Sequence, residues 1–271
     1  MFATSGSARL AYDIAGVPGS GSGVLLIHAG VTDRRSWAPL VAAFEDQHYS
    51  VAYDGRGFGE TTYQPETFSP VDDAVAVMDA SGLRSPMVVA ASMGGRTAID
   101  LALAHPERVS GLVLIGPAVS GAPEVVDDPP DVQEISDALD AADEKGDLDE
   151  VNRLEARLWL DGPSAPEGRV GGDTRELFLD MNGRALAAEQ PGEVAGSDPA
   201  WPRLEQVAVP TLVIVGDLDL VEIHERAREL AERVPGADFM ALTDVAHLPH
   251  LEGDRDCLVA IASFLEAHGV H

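Results

Sequence analysis

The run Val88-Val89-Ala90-Ala91-Ser92-Met93-Gly94-Gly95-Arg96 has the layout from which a serine can act as a nucleophile. Its apolar start predicts a buried strand, the small residues around Ser92 a sharp turn, and the residues after Met93 a helix. Such an elbow holds the serine on a strained turn, and small neighbours at −2 and +2 let the strand and helix backbones close together. The hydroxyl then projects above the sheet, and the helix N-terminus beneath it favours developing negative charge. Ala90 stands at the −2 place, where glycine is usual, and keeps that position small. The plain alternative is an ordinary strand–turn–helix with an incidental serine. A serine hydroxyl becomes reactive only with a base, and the base needs an orienting carboxylate. The rest of the chain must supply and place both.

The elements that could do so alternate along the sequence. Leu10–Ile14 reads as an early strand, followed by a turn over Gly16–Gly23. Val24–His28, Tyr49–Tyr53, Met87–Ala91, Val109–Ile115 and Thr211–Val215 are apolar, β-branched runs with little polar alternation, as strands buried on both faces require. Helices are predicted over Trp37–Phe44, Val71–Ser81, Met93–Ala104, Ile223–Val234 and Asp256–Ala267. This order implies a doubly wound, mostly parallel α/β sheet. Between about Ser120 and Leu204 the alternation stops, and prolines and glycines cluster at the edges. Three amphipathic helices are predicted there, marked by Val132, Ile135 and Leu139, then Leu148, Val151, Leu154 and Leu158, then Leu177, Met181, Ala185 and Ala188. The expected organisation is a core of residues 1–119 and 205–271, with residues 120–204 a helical cap laid over the sheet.

Composition narrows the partners. The 271 residues carry 46 acidic and 18 basic side chains, a net charge of −28, while 45% are hydrophobic. There is apolar material for a sizeable core, so disorder along the whole length is excluded. Such a charge repels nucleic-acid phosphates and anionic membranes. One cysteine, Cys257, excludes an internal disulfide and a multi-cysteine zinc site; it is read as a packing residue on the last helix. The N-terminus does not resemble a secretion signal, and no apolar stretch approaches the roughly 20 residues of a membrane span. The expectation is a cytoplasmic protein acting on a small molecule; oligomeric state is left open.

With these residues in view, the chain resembles the α/β-hydrolase family over nearly all its length apart from the cap. The strand ending in Leu25-Leu26-Ile27-His28-Ala29-Gly30 matches the family's His-Gly-x segment, with Ala29 in the glycine place. The resemblance implies that the backbone N–H groups of Gly30 and Met93 form an oxyanion hole. His28 is then structural. Asp54-Gly55-Arg56-Gly57-Phe58-Gly59 resembles the family's Asp-x-Arg-Gly-x-Gly turn, whose charges brace loops. Gly216-Asp217-Leu218-Asp219 resembles Gly-[Asp/Glu]-x-Asp, so Asp219 is the expected triad acid and Asp217 a loop brace. The loop Gly116-Pro117-Ala118-Val119, where some relatives carry the acid, has no carboxylate before Glu124. After the strand Asp238–Leu242, Ala246-His247-Leu248-Pro249-His250-Leu251-Glu252 resembles Gly-His-x-x-x-x-Glu, so His247 is the expected base. His250 could pair with His247 on a metal, but no third ligand stands at recognisable spacing, and neither metal nor organic cofactor is expected. His48, His105, His224, His268 and His271 read as surface or helix-end residues.

The reaction implied is acyl transfer to water through an acyl-enzyme on Ser92, on carboxylic esters or lactones. A carbon–carbon hydrolase of diketones would use the same triad, and a receptor-like member of the fold would bind without turnover. In the cap, Trp159 is expected either to line the substrate pocket or to anchor the cap. From Gly121 to Ala200 there are 21 acidic and 6 basic residues, a net of −15. This is either a solvated outer face or a selector against anionic substrates.

Overall fold

The computed structural model describes residues 1–17, 23–44, 48–123 and 129–269. Two N-terminal strands, β1 (Phe2–Ser5) and β2 (Ala8–Ala15), pair antiparallel. They lead into β3 (Val24–Ile27), β4 (Ser50–Tyr53), β5 (Met87–Ala91), β6 (Gly111–Ile115), β7 (Thr211–Gly216) and β8 (Asp238–Leu242). The sheet order is β1-β2-β4-β3-β5-β6-β7-β8, and every pairing from β4 to β8 is parallel. β1 was not expected from the sequence. Only Ala3 of its four residues is buried, so an edge strand of this kind leaves no apolar run to recognise. The expected Gly16–Gly23 turn falls mostly outside the described residues.

β3, β4, β5, β6 and β7 are buried at every position. Their residues alternate between two cores. Leu25, Ile27, Val88, Ala90 and Leu114 face one side, against α2 (Pro70–Ser81), α3 (Met93–Ala104) and α7 (Val221–Arg233). Val24, Leu26, Val89 and Val113 face the other, against α1 (Ala38–Phe44) and α9 (Arg255–Ala267), where Cys257 is fully buried. Each wholly buried Leu, Ile or Val contributes about 1.5–3 kcal/mol over its exposed state. The doubly covered central strands are therefore the most firmly held part of the molecule. The chain winds outward in both directions from β3, and the carboxyl ends of β3 and β5, where winding reverses, open the crevice in which such sheets hold their chemistry.

Between β6 and β7 lie α4 (Pro130–Asp143), α5 (Leu148–Glu155), a π-helical turn over Ala156–Asp161, and α6 (Gly172–Leu186). Ser120 ties the ends of this segment together: its hydroxyl accepts the Ala200 N–H at 2.9 Å and its carbonyl accepts that of Trp201 at 2.9 Å. Four residues depart from expectation. Leu148 is 42% exposed at the first turn of α5, not on its buried face. Leu158 sits in the π turn rather than in α5, and Ala188 lies beyond the end of α6. His48, expected at the surface, is buried with its ring edge-on to Phe44 at 4.8 Å. Glu124 and His271 lie outside the described residues. Among the described residues no helix is long and apolar enough to cross a membrane. A short helix, α8 (Pro249–Glu252), precedes α9.

Candidate active site

Ser92 follows β5 with φ 50° and ψ −115°, a left-handed backbone that a side chain rarely tolerates. Strain of this kind costs about 1–3 kcal/mol and survives only where the surroundings enforce it. They do so here through hydrogen bonds. The Ser92 N–H donates to Ile115 O at 2.9 Å, and its carbonyl accepts Gly95 N at 2.8 Å and Ala118 N at 3.0 Å. Although Ser92 occupies the N-cap of α3, its hydroxyl caps nothing and is left to other uses. The small +2 residue is required sterically: a Cβ on Gly94 would stand 2.4 Å from Ile27 O and 2.7 Å from His28 O. Strand β3 and helix α3 thus touch backbone to backbone, which brings Gly30 beside Met93. A Cβ on Gly30 would meet Met93 Sδ at 3.6 Å and Met93 Cβ at 3.7 Å. Among the described residues neither the Gly30 nor the Met93 N–H donates to a protein acceptor.

Asp219 and His247 come from the loops after β7 and β8 and meet in the interior. His247 Nδ1–H donates to Asp219 Oδ2 at 2.7 Å, and both side chains are almost fully buried. Asp219 Oδ1 accepts the Leu220 N–H at 2.8 Å, which fixes the carboxylate plane. With Nδ1 donating, a neutral His247 ring carries its lone pair on Nε2. Nε2 is buried and has no protein partner, so there is no direct hydrogen bond to Ser92 in this structure. Catalytic hydrogen bonds often tighten only around substrate. What links the groups is Gly116. It follows Ile115, the acceptor of the Ser92 N–H, and a Cβ there would stand 2.9 Å from His247 Cε1 and Nδ1 and 3.2 Å from Asp219 Oδ2. Its φ of +47° also suits glycine.

The neighbouring residues divide into braces and linings. His28 Nδ1–H donates to Ala29 O at 2.7 Å while Nε2 accepts the Gly55 N–H at 3.0 Å, so both nitrogens are used by a neutral ring. Burial lowers its pKa, against the pull of the Ala29 hydrogen bond and of Asp54 and Asp33. Asp54 pairs with Arg34 and accepts the N–H groups of Arg34 and Glu60. Arg56 grips Asp73 at 2.8 and 3.0 Å and Glu66 at 2.7 Å. Asp217 accepts the Asp244 N–H at 2.7 Å, as a loop brace would. His250 is stacked on Trp37 at 4.2 Å, and its pKa is pushed down to about 3, by burial first and then by His247 and His28. Burial raises the Cys257 thiol pKa. Among the described residues no three His, Cys, Asp or Glu side chains are grouped to hold a metal ion.

Trp159, in the π turn, lies over His247 with ring centroids 4.8 Å apart. A cavity of about 360 Å³ is lined by His28 and Met93 among others. Phe58, Phe68, Val71, Ala188 and Val194 supply apolar wall, and Arg96 and Asp100 stand at its polar side. Sequence reasoning missed the role of Gly116, although its position at the end of a buried strand was a usable signal. It also missed Arg169, which no local pattern distinguishes.

Residues 24–254 match the family model described as alpha/beta hydrolase fold. A protein of Caulobacter vibrioides (strain NA1000 / CB15N) provisionally named carbamate hydrolase RutD is 27% identical, over 95% of each chain. Rhodomycin D methylesterase DnrP of Streptomyces peucetius is 28% identical, over 90% of this chain and 91% of its own. The solved enol-lactonase of Burkholderia xenovorans LB400 superposes with a TM-score of 0.78 at 24% identity, covering 98% of this chain and 100% of its own. A family match across almost the whole sheet agrees with the strand order and the left-handed serine at the end of β5, and the chain belongs to the α/β-hydrolase fold family.

Proposed function

We propose that the chain is a serine hydrolase of carboxylic esters or lactones, with Ser92 as nucleophile, His247 as base and Asp219 as its orienting acid. The observation that carries this reading is the buried 2.7 Å contact between His247 Nδ1 and Asp219 Oδ2, packed on the residue that follows the Ser92 N–H acceptor. Ser92 Oγ bonds the substrate carbonyl carbon as its proton passes to His247 Nε2. The carbonyl oxygen takes the negative charge, held by the Gly30 and Met93 N–H groups. Removing one such donor typically costs about 100- to 1000-fold in kcat. The C–O bond then breaks and His247 protonates the leaving alkoxide. Water, deprotonated by the same nitrogen, cleaves the acyl-enzyme and restores Ser92.

In this reading residues 120–204 act as the cap, Trp159 borders the reacting centre beside His247, and the cavity lined by Met93 takes an apolar part of the substrate. The names of the relatives, a methylesterase, an enol-lactonase and a provisional carbamate hydrolase, support hydrolysis at an acyl centre. Labelling by a fluorophosphonate tests the nucleophile: the wild type should label and Ser92→Ala should not. A folded wild type that does not label overturns the proposal. A panel of p-nitrophenyl esters, lactones and carbamates then sets the substrate class. Cleavage of a vinylogous diketone with all esters untouched would move the assignment to carbon–carbon hydrolysis.

A further inference from the structure

Arg169, in the loop between the π turn and α6, uses all five of its guanidinium N–H donors. Nε donates to Asp161 O at 2.8 Å and Nη2 to Leu160 O at 2.7 Å, both carbonyls of the π turn that carries Trp159. The other three go to the segment that carries His247, one to its loop and two to the end of α8. Nη1 donates to Asp244 O at 3.0 Å, and Nη1 and Nη2 form a two-pronged pair with Glu252 at 2.8 and 2.8 Å. Glu252 Oε1 in turn accepts the N–H of Ala246, the residue before His247, at 3.4 Å. The loop bearing Arg169 is itself fastened by the buried Asp161 carboxylate, which accepts Gly168 N at 2.8 Å, Val170 N at 3.0 Å and Arg175 Nη1 at 2.8 Å. Gly162 completes the seam. It carries no side chain where a Cβ would lie 2.5 Å from Leu218 O, next to Asp219.

We infer that Arg169, seated on Glu252, is a positioning residue that sets Trp159 and His247 against one another. This rests on the reading of His247 as the base. A planar fork with five fixed donors can tie two backbone segments and a carboxylate at once, and lysine, with three donors on one atom, cannot. The pair is only 20% and 11% exposed in its side chains, so solvent screens it weakly. Glu252 belongs to the histidine segment by sequence, and its partner comes from the helical segment between β6 and β7. Docking that segment therefore fixes the base.

The test uses full-length Arg169→Met, Arg169→Lys and Glu252→Gln, each checked for native circular dichroism. The Trp159 emission, taken as the difference between each protein and its Trp159→Phe counterpart, is followed across a pH series, because a protonated imidazole quenches a touching indole more than a neutral one does. Asp219, bonded to Nδ1, and His250, which feels the charge of His247, are unchanged in every variant. Arg169→Met should lose most of the pH-dependent quenching. It should also lose about 10- to 100-fold in kcat with KM within threefold, as expected when a base is misplaced by up to an ångström. Arg169→Lys should fall between it and the wild type. If Arg169→Met does not fold, Glu252→Gln decides, with the same two losses expected. Folded variants with wild-type quenching and kcat overturn the inference. The quenching arm needs no turnover, so it stands even where the wild type fails to label with fluorophosphonate.

Discussion

Gly116→Ala is the substitution on which the proposed site depends most directly. The new methyl group would lie 2.9 Å from two atoms of the His247 ring and 3.2 Å from Asp219 Oδ2, against about 3.5–4.0 Å for an ordinary contact. To relieve this, the imidazole and carboxylate must withdraw by about 0.5–1 Å, enough to stretch their 2.7 Å hydrogen bond past useful length. Two costs to stability follow. An alanine at φ +47° costs about 1–2 kcal/mol, and overpacking a filled interior about 1–3 kcal/mol more. The effect on turnover should be larger in kind: about 100-fold lower kcat at nearly constant KM, because the base is misdirected while the binding surfaces are unaltered. Gly82→Ala provides the control. Gly82 caps α2 at φ +79° with nothing within 4 Å of its would-be Cβ, so it shares the backbone cost without the collision. Both variants should melt below the wild type, and only Gly116→Ala should lose ester hydrolysis. A folded Gly116→Ala with kcat within threefold of wild type would refute the placement of the Asp219–His247 pair as catalytic.

Other outcomes follow from the same geometry. Ser92→Gly should melt about 2–4 °C above Ser92→Ala, since only glycine relieves the φ of 50° and that relief is worth about 1 kcal/mol; equal melting points would remove the strain. His250 is buried neutral with its pKa at about 3, below the 6.5 of the unfolded chain, so the unfolded state binds the extra proton between those values. Stability should therefore fall as pH drops from about 6.5 towards 3, by up to about 1.4 kcal/mol per pH unit. Urea titrations at several pH values should show a shallower loss for His250→Phe, which keeps a ring on Trp37; an unchanged slope would exonerate His250. If residues 120–204 cover Ser92, their charge should favour neutral over matched carboxylated esters in kcat/KM, and more so at low salt. A ratio insensitive to salt would leave that charge as a solvated surface.

Much of this was legible in the sequence because burial on two faces writes itself locally. Strands β3, β5, β6 and β7 had to be unbroken apolar runs, and they were found within a residue or two. The elbow was legible for the same reason: Ala90, Gly94 and Gly95 are small because backbones meet there, and the clash of a Gly94 Cβ with Ile27 O accounts for it. β1 escaped because an exposed edge strand needs no pattern. His48 was misjudged because a polar residue just past a helix end reads as exposed, and the nearness of Phe44 in sequence does not show that its ring packs on the imidazole.

Ser92, Asp219 and His247 could each be picked out at a strand end from short motifs, and the succession of strands and helices along the chain could be read from the alternation of runs. What only the tertiary structure decided are the contacts between loops distant along the chain. Asp219 and His247 are 28 residues apart and Arg169 and Glu252 83, and no periodicity spans such intervals. The one-residue collision space at Gly116 and the π turn that carries Trp159 to His247 likewise exist only once the sheet and the helical segment are in place. Side-chain period reports which face is buried; the partner across a loop is set by the closed shape of the whole chain.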